Sequence, residues 1–421
     1  MLFRSRTLPP EPTNIILDYL EAFPYIVTIL SAVSALVRER RNVTRLVPNK
    51  RTIASKRPLV ADLYCGAAGF SLGGHLSGFR TAVALDIDET LTSSVTTNLP
   101  DIKLKIADIA ETSGSDILRA SNAKQGEIAG VIGGPPCQGF SLIGKRDQSD
   151  PRNALVSHFF RIVRELRPRF FLMENVPGLL IGDAKKMLDD VIGSLSGFEV
   201  VGPIMVDAAN FGAATRRERV IVLGYNKDHV DAIDEKDLES AHVERKATVR
   251  DAIADLPEPN GCEWLPYRKK ERDELSAYAK RSRTLPEQGL GSKDARAKLA
   301  DNKVSGVKAT RHTKEVLRRF SKVEQGTCDA VSRCPRLEWK KLAPTLRAGT
   351  GPDKGSYQSI RPIHPTKDRV ITVREAARLQ GFPDWFQFHD TKWHSFRMIG
   401  NSVSPMMAEA LLTTLRGCLE D

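Results

Sequence analysis

Cysteine is scarce: six in 421 residues, at 65, 137, 262, 328, 334 and 418, with no Cys-x-x-Cys pair. That density excludes a disulfide scaffold and that spacing excludes a zinc ribbon, so no metal and a reducing, cytoplasmic setting are expected. Long apolar runs are missing too. The longest apolar stretch, Ala22 to Val37, contains Pro24 and falls short of the roughly 18 to 20 residues that cross a bilayer. No membrane partner is expected. Glu11, Asp18 and Glu21 stand where a signal peptide would be basic. Also absent is G-x-G-x-x-G, which argues against a dinucleotide-dependent oxidoreductase.

What is present is a lopsided charge. The chain carries +11, yet residues 261–370 alone hold 26 Lys or Arg against 13 Asp or Glu, and residues 1–57 hold 10 against 4. The remainder is mildly acidic. Such a balance fits a catalytic body for a small molecule that meets a polyanion through a separate basic surface.

From Leu59 to Leu223 short apolar runs alternate with amphipathic stretches. Leu59–Tyr64, Thr81–Leu85, Ile128–Ile132, Phe170–Met173 and Arg219–Leu223 read as buried strands, and Ala154–Leu166 as a helix. The fold class expected is α/β, a mostly parallel Rossmann-like sheet. An acidic run, Asp228–Glu239, leads into a basic region rich in Pro and Gly, which reads as a second, smaller, loop-rich domain. Helical patterning returns at Thr372–Gln380, with a Thr372/Glu375 capping box, and at Ser402–Leu415. The expected division is 1–57, an N-terminal extension; 58–225, catalytic and cofactor-binding; 226–370, target recognition; and 371–421, completing the catalytic domain.

The first strand ends in Asp62-Leu-Tyr-Cys-Gly66, with Gly69 following, and the next strand ends in Asp86. A glycine turn and an acid at successive strand ends suit an adenosine ligand without a pyrophosphate, which points to S-adenosylmethionine. The segment Gly133-Gly-Pro-Pro-Cys-Gln-Gly-Phe-Ser141 follows a third strand. A Gly/Pro-rich loop is a poor place to pack a core cysteine, so Cys137 reads as a thiolate nucleophile beside that ligand.

With these residues in view, the chain resembles the DNA cytosine-5 methyltransferases of bacterial restriction-modification systems. Six motifs stand in the family's order: Asp62-Leu-Tyr-Cys-Gly66, Pro135-Pro-Cys-Gln-Gly-Phe-Ser141, Glu174-Asn-Val-Pro-Gly178, Arg217-Glu-Arg219, Ala377-Arg-Leu-Gln-Gly-Phe-Pro383 and Gly400-Asn-Ser-Val403. The resemblance covers about residues 58–225 and 371–415. It implies that Cys137 adds to carbon 6 of a cytosine flipped out of duplex DNA, and that Glu174 supplies a proton or hydrogen bond at nitrogen 3. Arg217 and Arg219 would hold the base carbonyl and the nucleophile loop. The implied S-adenosyl-L-methionine site comprises Asp62, Tyr64, Gly66, Gly69, Asp86, Ile87, Asp108, Pro136, Asn401 and Val403, with Tyr64 stacking on adenine, Asp86 on the ribose and Asp108 near the adenine amine.

The chain departs from the pattern at Asp86, where Glu is usual, at Thr215, where Gln is common, and at Ser404, where Pro is common. A monomer is expected, and a restriction endonuclease sharing its target would not be required for activity. Phosphate contacts are expected from Arg268-Lys-Lys270, Lys280-Arg-Ser-Arg283 and Arg318-Arg319, and Thr345-Leu-Arg-Ala-Gly-Thr350 resembles the edge of the family's recognition domain. The runner-up reading is a tRNA cytosine-5 methyltransferase of the same superfamily. An exocyclic-amine methyltransferase would carry an aromatic where Cys137 stands, and a non-enzymatic relative would have lost Cys137 or Glu174.

The N-terminal extension matches no catalytic motif, and its apolar stretch has to be buried. Deleting residues 1–55 is expected to lower solubility or melting temperature while sparing turnover per folded molecule. An unchanged melting temperature with lost methylation would contradict this.

Overall fold

The computed structural model describes residues 57–136, 154–268, 274–348 and 361–420. The N-terminal stretch, the segment from Cys137 to Asn153, and residues 269–273 and 349–360 lie outside them, as do the expectations placed there. From Arg57 onward the chain is one compact unit.

Seven strands form the main sheet: β1 (Leu59–Leu63), β2 (Arg80–Asp86), β3 (Lys103–Ile106), β4 (Ile128–Gly133), β5 (Phe170–Asn175), β6 (Glu199–Asp207) and β7 (Glu218–Tyr225), in the order β3-β2-β1-β4-β5-β7-β6. The first five run parallel, and β7 lies antiparallel to both β5 and β6. The five apolar runs expected as strands are all present. β4 and β5 are buried along their whole length, as central parallel strands require. Two strands escaped the sequence reading, and both are edges. β3 reads Lys-Leu-Lys-Ile with no fully buried residue, and β6 carries Pro203 at a break in its register. Glu174 therefore sits near the end of the fifth strand rather than the fourth.

Helices α1 (Gly69–Leu76), α2 (Gly114–Ser121), α3 (Ala154–Leu166), α4 (Gly182–Gly193), α5 (Val249–Ile253), α6 (Val373–Gln380), α7 (Lys392–Asn401) and α8 (Pro405–Cys418) complete the frame. Phe159, Phe160 and Val163 of α3 pack with Ala61, Val131 and Phe171 of the sheet. Met407, Leu411 and Leu415 of α8 pack in a second cluster with Val60, Ile132 and Leu172, neighbours in the strands that point the other way. The Thr372/Glu375 capping box is formed as expected and starts α6.

Residues 226–370 contribute their main apolar cluster to a shared core: Leu265, Leu299 and Val304 pack with Leu379, Phe386 and Ile399. A charge network seals that junction. Arg378 of α6 has no exposure. Its Nε and Nη2 donate to the two oxygens of Asp384 at 2.7 and 2.6 Å, and Nη1 donates to Asp255 at 3.0 Å and to the Ala252 carbonyl at 2.8 Å. Arg283 donates to Asp255 at 2.6 Å while lying 3.7 Å over the Tyr267 ring, and the Tyr267 hydroxyl donates to Asp384.

Removing one partner strands a buried charge. Asp384→Ala is expected to cost about 3–5 kcal/mol, measured by denaturant unfolding; a loss below about 1 kcal/mol would show that Arg378 finds other compensation.

Candidate active site

The direction of winding reverses between β1 and β4: β2 and β3 extend the sheet on one side of β1, and β4 and β5 on the other. Such a switch point opens a crevice at the carboxyl ends of the strands. A cleft of about 820 Å³ lies there, lined from the ends of β1 to β5, from Arg217 and Arg219 at the start of antiparallel β7, and from Gly400–Val403. Asp62, Tyr64, Gly66, Gly69, Asp86, Ile87, Asp108, Pro136, Glu174, Arg217, Arg219, Asn401 and Val403 all line it. Every expected site residue within the described chain is therefore brought to one cavity, and Cys137 follows directly on its Pro136 wall.

The turn after β1 is tightly specified. Tyr64, Gly66 and Ala68 have φ of 59°, 48° and 59°, in the left-handed region. Asp86 pins the turn, its two oxygens accepting from the Gly66 and Asp88 amides at 2.9 Å each. The Tyr64 hydroxyl donates to the Leu155 carbonyl at 2.7 Å, fixing the start of α3. A Cβ on Gly69 would come within 2.2 Å of the Val403 carbonyl and Ser402 Oγ. Only glycine lets the 400–403 stretch close this end of the cleft. Asp62 is 1% exposed. Its Oδ2 accepts from the Ser71 amide and hydroxyl, while Oδ1 has no partner. Burial, against those two bonds, pushes its carboxyl up to about 7. Ile87 leaves an apolar side chain 66% exposed in the same cleft. An unpartnered buried oxygen and a free apolar face fit the amine and the adenine of S-adenosylmethionine.

The opposite end of the cleft is cationic. Arg219 Nε lies 2.7 Å from Glu174 Oε1, off the N–H axis, so that buried oxygen accepts no hydrogen bond. Arg217 is 2% exposed. Among the described residues its Nη1 reaches only the Leu346 carbonyl, at 3.4 Å, and Nε has no acceptor. Burial, then the Arg219 charge, push its guanidinium well below the usual arginine range. Asn175, named in the sequence only as part of its motif, donates from Nδ2 to the Pro135 carbonyl at 2.9 Å, two residues before Cys137. The departures are local. Thr215 is buried with its hydroxyl donating to the carbonyls of Ala343 and Pro344, and Ser404 donates to the Gln380 carbonyl. Arg397, which pairs with Asp88 at 3.1 Å on the cleft wall, and His158 gave no signal in the sequence.

The sheet order, the antiparallel seventh strand and this cleft at the switch point define an S-adenosylmethionine-dependent methyltransferase. The chain belongs to the C-5 cytosine-specific DNA methylase family, whose model matches residues 59–416. It is 40% identical to the Type II methyltransferase M.XorII of Xanthomonas oryzae pv. oryzae over 365 residues, 84% of each chain. It is 30% identical to the Type II methyltransferase M.DdeI of Desulfomicrobium norvegicum, over 84% of this chain and 87% of that one. Among solved structures, an E. coli prophage-encoded DNA modification methyltransferase superposes with a TM-score of 0.74 at 37% identity, covering 86% of this chain and 99% of its own. The S. pombe Dnmt2 methyltransferase shares the fold, with a TM-score of 0.57 at 16% identity.

Asp62 gives a pH test. Its folded carboxyl titrates near 7 and its unfolded one near 3.8, so the fold favours the protonated form. Stability should fall as pH rises from about 4 to about 7 and level off above, by up to about 1.4 kcal/mol per unit. Asp62→Asn should remove that slope in urea unfolding; an unchanged slope would assign it to other groups.

Proposed function

We propose that this protein methylates carbon 5 of cytosine within a specific duplex DNA sequence, as the modification enzyme of a restriction-modification system. The observation carrying this reading is the meeting, in one cleft, of Glu174, Arg217, Arg219 and the Pro135–Pro136 wall that leads to Cys137, opposite the Asp62–Asp86 cofactor end. The Type II methyltransferase relatives, at 30 and 40% identity, support the restriction-modification setting.

A cytosine inside a stacked duplex cannot reach this depth, so the base is flipped into the cleft. The Cys137 thiolate adds to carbon 6, and the displaced electron pair makes carbon 5 an enamine carbon. Arg219 turns from Glu174 to the base carbonyl, and Glu174 then shares a proton with nitrogen 3. This exchange of partners stabilises charge only as it develops. Arg217, buried beside Arg219, adds positive potential, and Asn175 holds the backbone that presents Cys137. Asp62 pairs with the cofactor's ammonium group, Asp86 and Asp108 take the ribose and the adenine amine, and Tyr64 and Ile87 cover the ring. Gly66 and Gly69 admit the cofactor to the turn, while Pro136, Asn401 and Val403 wall it in. When bound, S-adenosylmethionine supplies an electrophilic methyl group at carbon 5. Loss of the carbon 5 proton then breaks the carbon 6–sulfur bond and frees Cys137.

A 5-fluorocytosine duplex cannot lose that proton. With cofactor it should give a denaturation-resistant adduct that Cys137→Ser abolishes. An adduct surviving that substitution would overturn the assignment. Glu174→Gln should retain cofactor binding and slow methylation by about 10²- to 10⁴-fold; a near-native rate would remove Glu174 from the proton path.

A further inference from the structure

Half of the cations that the basic sequence runs offered for DNA are already spoken for. Arg268 pairs with Glu258, Arg281 with Glu409, Arg283 with Asp255 and Arg319 with Asp329. A different group is nearly free of carboxylates among the described residues. Arg361 lies over the rings of Trp393 and Phe396, its guanidinium carbon 5.4 and 4.8 Å from their centroids, and its buried Nε has no acceptor. Lys392, which opens α7, donates to the Ala309 carbonyl at 2.8 Å and to no other acceptor among the described residues. Arg311 is exposed, with no acidic partner among the described residues. Lys308 completes the group and alone has an acid, Glu263, at 3.1 Å. Burial, then the charges of Arg361, Arg311 and Lys308, push the Lys392 ammonium down. Of these four cations, close enough to perturb one another, Arg311, Arg361 and Lys392 have no carboxylate partner among the described residues.

Their place in the fold says what supplies it. Trp393, Arg397 and Gly400 follow one another at i, i+4 and i+7 on one face of α7. The last two line the active-site cleft, and Arg361 packs on the first. The cluster at Trp393 therefore lies about 6 Å along the helix from Arg397 and about 10 Å from Gly400 on the cleft wall, at 1.5 Å per residue. That span corresponds to about two to three nucleotides at 3.4 Å per step.

We propose that Lys308, Arg311, Arg361 and Lys392 form a phosphate clamp that holds the DNA backbone beside the extruded cytosine, uniting the basic region with the C-terminal segment. The clamp rests on the reading of the protein as a duplex-DNA methyltransferase. It contacts phosphates alone, so it contributes affinity and salt dependence without reading bases.

The test is DNA binding by the full-length chain over a range of salt concentrations, with the cognate and an unrelated duplex. Arg311→Gln with Lys392→Gln should weaken both duplexes alike and lower the log–log salt slope by about 2, near 1 per lost phosphate contact. Arg361→Gln should add about 1 more, and Lys392→Arg should keep the wild-type slope. Cofactor affinity, read separately, reports that each variant is folded. If removing Arg361 from its rings unfolds the chain, the Arg311 and Lys392 pair decides. A folded pair variant with an unchanged slope overturns the clamp, as does one that weakens only the cognate duplex. A wild-type chain that binds no duplex DNA would instead reject the functional reading on which the clamp rests.

Discussion

Arg378 has no contact with water, and a guanidinium in that position has to be met on every side. Its fork is matched by Asp384 from the turn after its own helix and by Asp255 from more than 120 residues upstream, with Arg283 and Tyr267 closing the outer ring. Such a network contributes little net stability compared with an apolar core of the same volume, but it tolerates no partial assembly. It fixes α6 against residues 252–283. That contact sets where α7 and α8 begin, and so where Gly400–Val403 returns to the β1 turn.

The active site is built from stretches that meet only because glycine permits it. Gly69 admits the Val403 carbonyl, and Gly400 admits the backbone at Arg347–Ala348, which a Cβ would approach to 2.5 Å. Residues 343–346 in turn lie along 214–217, where Thr345 donates to the Arg216 carbonyl. The buried Arg217 thus sits between the sheet and the segment leading out of the basic region. The Asp62–Asp86 end of the cleft, the Glu174–Arg219 end and the basic region are parts of one packed body, and a displacement at any junction would reach Glu174 and Arg219.

Much of this was legible in the sequence. Strands that are buried on both faces announce themselves as apolar runs, and β1, β2, β4, β5 and β7 did so. β3 and β6 did not, because an edge strand carries lysine or proline where it faces water. The chemistry was legible because carboxylates and glycines at strand ends have few other uses there. Hydrogen bonds between distant positions left no trace: nothing near Asn175 names Pro135, and nothing near Arg397 names Asp88. Charge was the least transparent feature. The sequence counts cations, but only packing tells that Arg283 is consumed internally while Arg361 is left resting on aromatic rings.

The central claim is that this cleft places a methyl group on carbon 5 of cytosine at one DNA sequence. Bisulfite sequencing of DNA from cells expressing the wild-type chain tests it most directly. The account predicts protected cytosines confined to a single recurring sequence and absent from cells expressing Cys137→Ser. Protection that is scattered without a common sequence, or that survives loss of Cys137, would contradict it.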